Sequence, residues 1–416
     1  MNLARTLVLL ALMVGATAVG TESPAAGETQ PGAIDWKVGA AAVKITPSLL
    51  RPVYIAGYNN NRLADTVQDD LWARALVFDD GHTRFALVAC DLIGLSNYRV
   101  QQIRKRVKSV PQERVLITCT HVHSGPDTLG LWGRNSLSTG IDPLYMERLE
   151  ARIAAAVESA AKSMRPARLE AGSVTVPDGL VHNSREPLQD KELTGLRFAA
   201  LSGETIATLV HYGGHPEVNK SKSLTSDFVH YVRDAAEQRF GGVCLFVNGA
   251  LGGMVTPHIR EHTLPEMERV GKGVGRAAVQ ALEQAAPLRT TPIRIGRRDL
   301  RLPMENNGFQ LLIAGKVLDG EAIEGRVPTE VWRVDLGPVC CVTIPGEILP
   351  RPALALKALM PGKHRLVIAL GNDELGYILD PADFDRQLYS YEKSMSVGRQ
   401  TWPLLFQAAR DLLGKQ

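Results

Sequence analysis

Beyond its first residues the chain contains no run of 18 or more uninterrupted apolar residues, so no later segment reads as a bilayer span. It also lacks a dominant charge. Lys and Arg number 47 against 44 Asp and Glu. Without a basic patch or stripe the sequence gives no sign of nucleic-acid binding. Cysteine is scarce, at five residues, and none has metal-finger spacing. Cys90, Cys119, Cys244, Cys340 and Cys341 each sit in a β-branched apolar run, which reads as a set of buried thiols. A Cys90–Cys119 disulfide is the alternative. There is no internal repeat, and no low-complexity tract outside residues 20–32.

The N-terminus reads as an export signal. Arg5 supplies positive charge, Leu7 to Val14 is apolar but too short to span, and Ala16-Thr17-Ala18 fits a small-x-small cleavage site. A buried N-terminal helix or a membrane anchor is the competing reading. No Cys follows the cleavage site, so no lipoprotein anchor is expected. Residues 1–18 would be removed, residues 19–34 would form a flexible mature N-terminus, and residues 35–416 would form one catalytic domain. The mature chain, with 46 basic against 44 acidic residues, is expected to be soluble and either periplasmic or secreted. A composition shift near Pro287–Thr291 marks a possible subdomain seam. One domain is preferred because polar clusters fall on both sides of it.

Short β-rich runs alternate with amphipathic stretches. Strands are expected at Arg84–Cys90, Val115–His121, Ile206–His211, Val243–Val247, Ile293–Leu302, Val331–Leu336, Val339–Ile344 and Arg365–Leu370. Helices are expected at Arg99–Val107, Pro143–Ser163, Phe228–Phe240, Leu264–Gln284, Pro352–Leu359 and Pro403–Leu413. Asp142 caps the second helix, and Pro143 suits its first position. The fold class is mixed α/β, with twisted sheets flanked by helices. Strand C-terminal ends feed the functional loops, where a metal site is expected.

Four of those ends carry candidate chemistry. Thr120-His121-Val122-His123-Ser124-Gly125-Pro126 follows the run VLITC. On a strand, residues two apart share a face, so His121 and His123 would project together, an arrangement that suits zinc. Two unrelated surface histidines would give the same sequence. His211-Tyr212-Gly213-Gly214-His215-Pro216 follows a second apolar run, and its glycines allow a tight turn that presents His215. Glu347, behind Pro345-Gly346, is a carboxylate placed just after a buried strand. Such a group is costly to bury unless solvated, paired or metal-bound, although a Glu near a helix N-terminus explains it equally. Tyr377 closes Gly371-Asn372-Asp373-Glu374-Leu375-Gly376, and alone reads as an ordinary buried tyrosine. Taken together, two nitrogens and hard oxygens at four strand ends form a plausible zinc set.

These pieces resemble the neutral, non-lysosomal ceramidase family. VGAAAVKITP (Val38–Pro47) looks like its opening strand. Gly57-Tyr58, the run Asp70 to Val77, and Cys90-Asp91-Leu92-Ile93-Gly94-Leu95 are similar to its next blocks. THVHSGPDT, HYGGHPEV, Phe246–Pro257, IPGE and NDELGY follow in the family's order. The resemblance implies hydrolysis of ceramide or a related N-acyl lipid with one Zn²⁺. Its ligands would be His121, His215, Glu347 and Tyr377, and the nucleophile a zinc-activated water. His123 would then be free to hydrogen-bond an oxyanion or relay protons. Arg185, in Asn183-Ser184-Arg185, would orient substrate, the alternative being a loop arginine paired with Glu186 or Asp190. Tyr391, or else Tyr389, would stabilise the oxyanion.

Asp91 and Asp227 are candidates to orient the ligand histidines, or are simply caps. Where some accounts of the family place a serine nucleophile, this chain has Gly252-Gly253-Met254-Val255-Thr256-Pro257 with no serine, which favours the water. The chain ends soon after Leu413, leaving no room for the family's C-terminal immunoglobulin-like domain. The expected partner is a small-molecule or lipid substrate with possible transient membrane-surface contact. A zinc esterase or amidase with another acyl substrate is one rival reading. A non-catalytic exported binding protein is the other.

Overall fold

The computed structural model describes residues 36–414, so the expected signal peptide and the whole of the expected flexible N-terminus lie outside the described residues. The described residues form one compact unit, with no break at Pro287–Thr291.

The larger sheet runs in the order Val243–Asn248, Thr205–Tyr212, Glu192–Ala200, Arg165–Thr175, Trp36–Lys44, Trp72–Asp79, Arg84–Cys90 and Val115–Cys119, and Ala286–Leu288 adds to the Arg165–Thr175 strand. Its two outermost pairs are parallel and its interior is antiparallel. A second sheet has the order Arg294–Pro303, Arg326–Leu336, Val339–Thr343 and His364–Ile368.

Alternation along the strands explains the layering. Leu76, Phe78, Phe85 and Leu87 of the larger sheet pack with Trp332, Val334, Cys341 and Leu366 of the second, forming a core between the sheets. The intervening positions Ala75, Val77, Ala86 and Val88 face outward and meet Met146, Leu149 and Ile153 of helix Pro143–Lys162. On the second sheet Cys340 and Val342 belong to the cluster that includes Leu405 and Leu412 of helix Thr401–Leu413. Helices Phe228–Phe240 and Leu264–Glu283 cover the other end of the larger sheet. The mixed α/β class with helix-flanked twisted sheets is therefore the observed architecture. Among the described residues no helix is long and apolar enough to cross a membrane.

Helix Pro143–Lys162 starts as expected, with Asp142 accepting from Leu144 N at 3.0 Å and proline in its first turn. Three long strands, Trp72–Asp79, Arg165–Thr175 and Glu192–Ala200, were not expected from the sequence pattern. Arg165–Thr175 is one, because Arg165 and Glu170 interrupt its apolar pattern. They pair sideways with Glu204 and Arg197 of the neighbouring hairpin. All five cysteines are buried free thiols. Cys90 and Cys119 lie opposite each other on parallel strands without forming a disulfide, and burial pushes both thiols well up, which leaves them inert.

The second sheet also reaches into the seam between the two outer edges of the first. Just past strand His364–Ile368, Ala369 N donates to Asn248 O (3.0 Å) and Asn372 N donates to Ile117 O (2.7 Å). Ile117 N returns a bond to Asn372 Oδ1 (2.8 Å). Residues far apart in sequence thus deliver three strand ends to one place.

Candidate metal centre

His121, His123 and His215 are buried, and each offers a ring nitrogen within 4.8 Å of the others. Glu347 joins them, with Oε2 2.9 Å from His215 Nε2 and 3.4 Å from His121 Nε2. Tyr377 is the register partner of Glu347 in a two-stranded parallel pair, Glu347–Ile348 with Tyr377–Ile378. Five residues picked out in sequence therefore converge.

The convergence does not come from a strand pleat. Strand Val115–Cys119 stops before the histidines, and His121 has a left-handed backbone at φ +64°. The expected strand over Val115–His121 is too long, and the shared-face argument fails with it. Instead the chain folds against Cys90–Ile93. Thr120 N donates to Cys90 O (2.8 Å) and His121 N to Leu92 O (3.0 Å). His123 N donates to Pro216 O (2.9 Å), and its ring lies against Gly57, where a Cβ would come within 2.4 Å of the imidazole.

Gly213 also acts by absence of bulk and not by a special turn. Its φ is ordinary, but an added Cβ would sit 2.3 Å from Ala250 O. Asn248, not singled out in the sequence, ties the two histidine turns together. Its Nδ2 donates to Thr120 O (2.9 Å) and Gly214 O (3.0 Å), and its Oδ1 accepts from Gly214 N (3.0 Å).

The partners of the histidines are main-chain carbonyls. His121 Nδ1 donates to Ile93 O at 2.7 Å, and His215 Nδ1 donates to Val255 O at 2.9 Å. Asp91 and Asp227 do not orient these rings. Asp91 accepts from Arg233 (2.7 Å) and Trp72 N (2.9 Å), and Asp227 caps helix Phe228–Phe240 through Phe228 N (2.7 Å).

Because a carbonyl only accepts, each Nδ1 carries a hydrogen, and the lone pair of each Nε2 is left for a proton or a metal ion. Both lone pairs then face a carboxylate oxygen. Two acceptors at 2.9 Å repel unless positive charge lies between them. The donor set fits a cation, and its N and O atoms are those zinc takes.

The electrostatics agree. Burial lowers His215, but its contact with Glu347 and the charge of Glu217 lift it to about 9. Burial would raise Glu347, yet His121 and His215 hold it well below the usual carboxylate range. Burial, with His121 and His215 as neighbours, pushes His123 well down. Tyr377 is driven well up by burial and by Glu347, and Tyr391 up to about 12 for the same two reasons.

The centre opens on a cavity with His121, His123, Glu347, Tyr377 and Tyr391 in its wall. Leu129, Trp132, Phe309, Leu318, Leu375 and Met395 make much of the rest apolar. Tyr391, 50 % exposed, lies edge-on to Tyr377 at 5.9 Å. Tyr389 is buried outside the cavity wall.

Arg185 does not line the cavity either. Its Nε donates to Glu392 Oε1 at 2.8 Å, and Glu392 is fully buried. The alternative reading, a loop arginine paired with Glu186 or Asp190, gives way to this contact 207 residues away. Removing one partner of a buried pair leaves an uncompensated charge. Arg185→Ala is therefore expected to destabilise the fold by about 3 kcal/mol, read as a lower denaturant midpoint. An unchanged midpoint would show that Glu392 does not depend on it.

An α/β frame that gathers two imidazoles and a carboxylate at the mouth of an apolar cavity defines a protein with a built donor set for a cation. The chain belongs to the neutral/alkaline non-lysosomal ceramidase family, whose N-terminal pattern matches residues 36–243. That stretch contains His121, His123, Arg185 and His215, while Glu347, Tyr377 and Tyr391 lie beyond it. The fold is similar to that of neutral ceramidase from Pseudomonas aeruginosa, with TM-score 0.77 and 15 % identity over 91 % of this chain and 74 % of that one. A solved structure described as ceramidase complexed with C2 is similar at TM-score 0.77 and 15 % identity, over 91 % and 75 % of the two chains.

Proposed function

We propose that this protein hydrolyses the amide bond of an N-acyl lipid, ceramide or a close relative, using one zinc ion held by His121, His215, Glu347 and Tyr377. The observation that carries this reading is the pair of imidazole lone pairs turned onto Glu347 Oε2 in the wall of an apolar cavity. When bound, zinc would polarise an amide carbonyl and bring the pKa of a water to roughly 7.

The chain's own residues supply the rest. The apolar wall takes a hydrocarbon chain and excludes water from the reacting bond. Tyr391, at the cavity wall with its phenol protonated, donates a hydrogen bond to the carbonyl oxygen as charge grows there. Such a donor is usually worth about 3 kcal/mol. His123, kept neutral by burial, takes up and returns a proton. Arg185 acts on this side of the site through Glu392, which neighbours Tyr391 in sequence. Residues 35–416 form the catalytic domain, and residues 1–18 direct export to the periplasm or beyond.

Purified protein is expected to contain one zinc per chain and to release fatty acid from N-acyl sphingoid bases. Elemental analysis and a hydrolysis panel that includes simple esters test this. Absence of stoichiometric zinc would favour a binding protein, and turnover of esters alone would move the substrate class.

A further inference from the structure

His123 is held on a side the sequence did not reveal. Glu217 stands two residues after His215, and its Oε2 lies 3.5 Å from His123 Nδ1. Neither ring nitrogen of His123 has a hydrogen-bond partner, although both are buried. Glu217 is itself held at its side chain and at its main chain. Its Oε1 accepts the Thr256 hydroxyl, and the Glu217 main-chain carbonyl accepts the Tyr58 phenol. The Tyr58 ring lies edge-on to the His123 ring at 5.4 Å, so one tyrosine braces both members of the pair.

The 3.5 Å contact is not itself a hydrogen bond, but a carboxylate only accepts, so its charge favours the hydrogen on the ring nitrogen that faces it. The other nitrogen lies across the ring and keeps its lone pair. We infer that Glu217 is a positioning residue that fixes His123 as the Nδ1–H tautomer and thereby presents the Nε2 lone pair to the cavity. His121 and His215 have the same tautomer, with Ile93 O and Val255 O behind them. All three imidazoles then offer acceptors inward, each backed by an oxygen. On the hydrolase reading proposed above, the Nε2 of His123 accepts a proton and does not donate to the oxyanion. The tautomer itself does not depend on that reading.

Substitution of Glu217 by glutamine separates geometry from mere structure. The Thr256 hydroxyl donates to one side-chain oxygen, so in the variant the amide oxygen stays on Thr256 and the NH₂ group faces His123 Nδ1. That arrangement selects the opposite tautomer. The experiment uses full-length zinc-loaded protein labelled with ¹⁵N at its ten histidines. Long-range ¹H–¹⁵N spectra are recorded, and the His123 signals are assigned by their loss in His123→Gln.

The wild type is expected to show His123 protonated at Nδ1, and Glu217→Gln to show it protonated at Nε2. With an N-acyl substrate, kcat should fall by about 100- to 10,000-fold, with KM within about twofold and zinc content unchanged. An Nε2–H tautomer in the wild type overturns the inference even if the variant does not fold. So does a variant whose tautomer and kcat match the wild type. If no acyl substrate is turned over by any form, the hydrolase reading fails, while the wild-type spectrum still decides the role of Glu217.

Discussion

His121→Ala is expected to abolish zinc binding and to lower hydrolysis by at least about 10,000-fold, against the roughly 10⁶-fold or greater accelerations that enzymes provide. The side chain supplies one of two nitrogen lone pairs on Glu347 Oε2, at 3.4 Å. The fold should survive. The variant loses one hydrogen bond to Ile93 O, while the left-handed backbone at this position is a strain that His121 already bears. His121→Asn isolates the ligand effect, because asparagine tolerates that backbone better. Elemental analysis, circular dichroism and turnover are read together. A folded alanine variant with full zinc would remove His121 from the donor set.

Zinc binding itself should depend steeply on pH, because metal and proton compete for one lone pair. In the metal-free protein His215 sits near 9, above its ordinary 6.5. Its contact with Glu347 is then fully stabilising below 6.5 and is lost as pH rises through about 9. Glu347 is shifted the other way from its ordinary 4.5, so its contribution is complete above that value and lost as pH falls through the depressed one. The metal-free protein should be at its most stable between these limits, near pH 5 to 6.5, and should weaken toward pH 9.

Zinc must displace the His215 proton. Apparent affinity should therefore rise about tenfold per pH unit from 6.5 to 9, with about one proton released per ion at pH 7.5. Competition with a chromophoric chelator, with parallel pH-stat titration, measures both. An affinity that stays flat across this range would mean that His215 enters the centre already neutral.

The converging residues were legible because each follows an apolar strand, and all but Tyr377 belong to residue types with few reasons to be buried. Their supports were not. His121 and His215 lean on Ile93 O and Val255 O, and a carbonyl leaves no trace in residue identity. Reasoning from side chains alone points to Asp91 and Asp227, which serve an arginine and a helix cap. The strand-face argument reached the correct pair of histidines by the wrong geometry, since a left-handed turn at His121 aims them together. Arg185 and Glu392 could not be paired by proximity in sequence. Asn248 and Glu217 had a signal, each being polar and placed next to a buried run. Glu217 lay within a stretch read only for its histidine. Most of the strands found were uniformly apolar, Arg294–Pro303 being the exception. Among those missed, Arg165–Thr175 carries ion-paired side chains that interrupt its apolar pattern.

The seam filled by Ala369–Asn372 sets the smallest piece of this chain that can exist alone. A fragment cut where the recognisable family pattern ends, after Val243, would lose the Ala369–Asn372 plug together with Asn248, Glu347 and Tyr377. It would leave strand Val115–Cys119 with an open flank of unpaired amides and carbonyls, the kind of edge on which chains stick to one another. Heredity marks out the first half of the protein, but the unit of folding, like that of the proposed chemistry, takes in both.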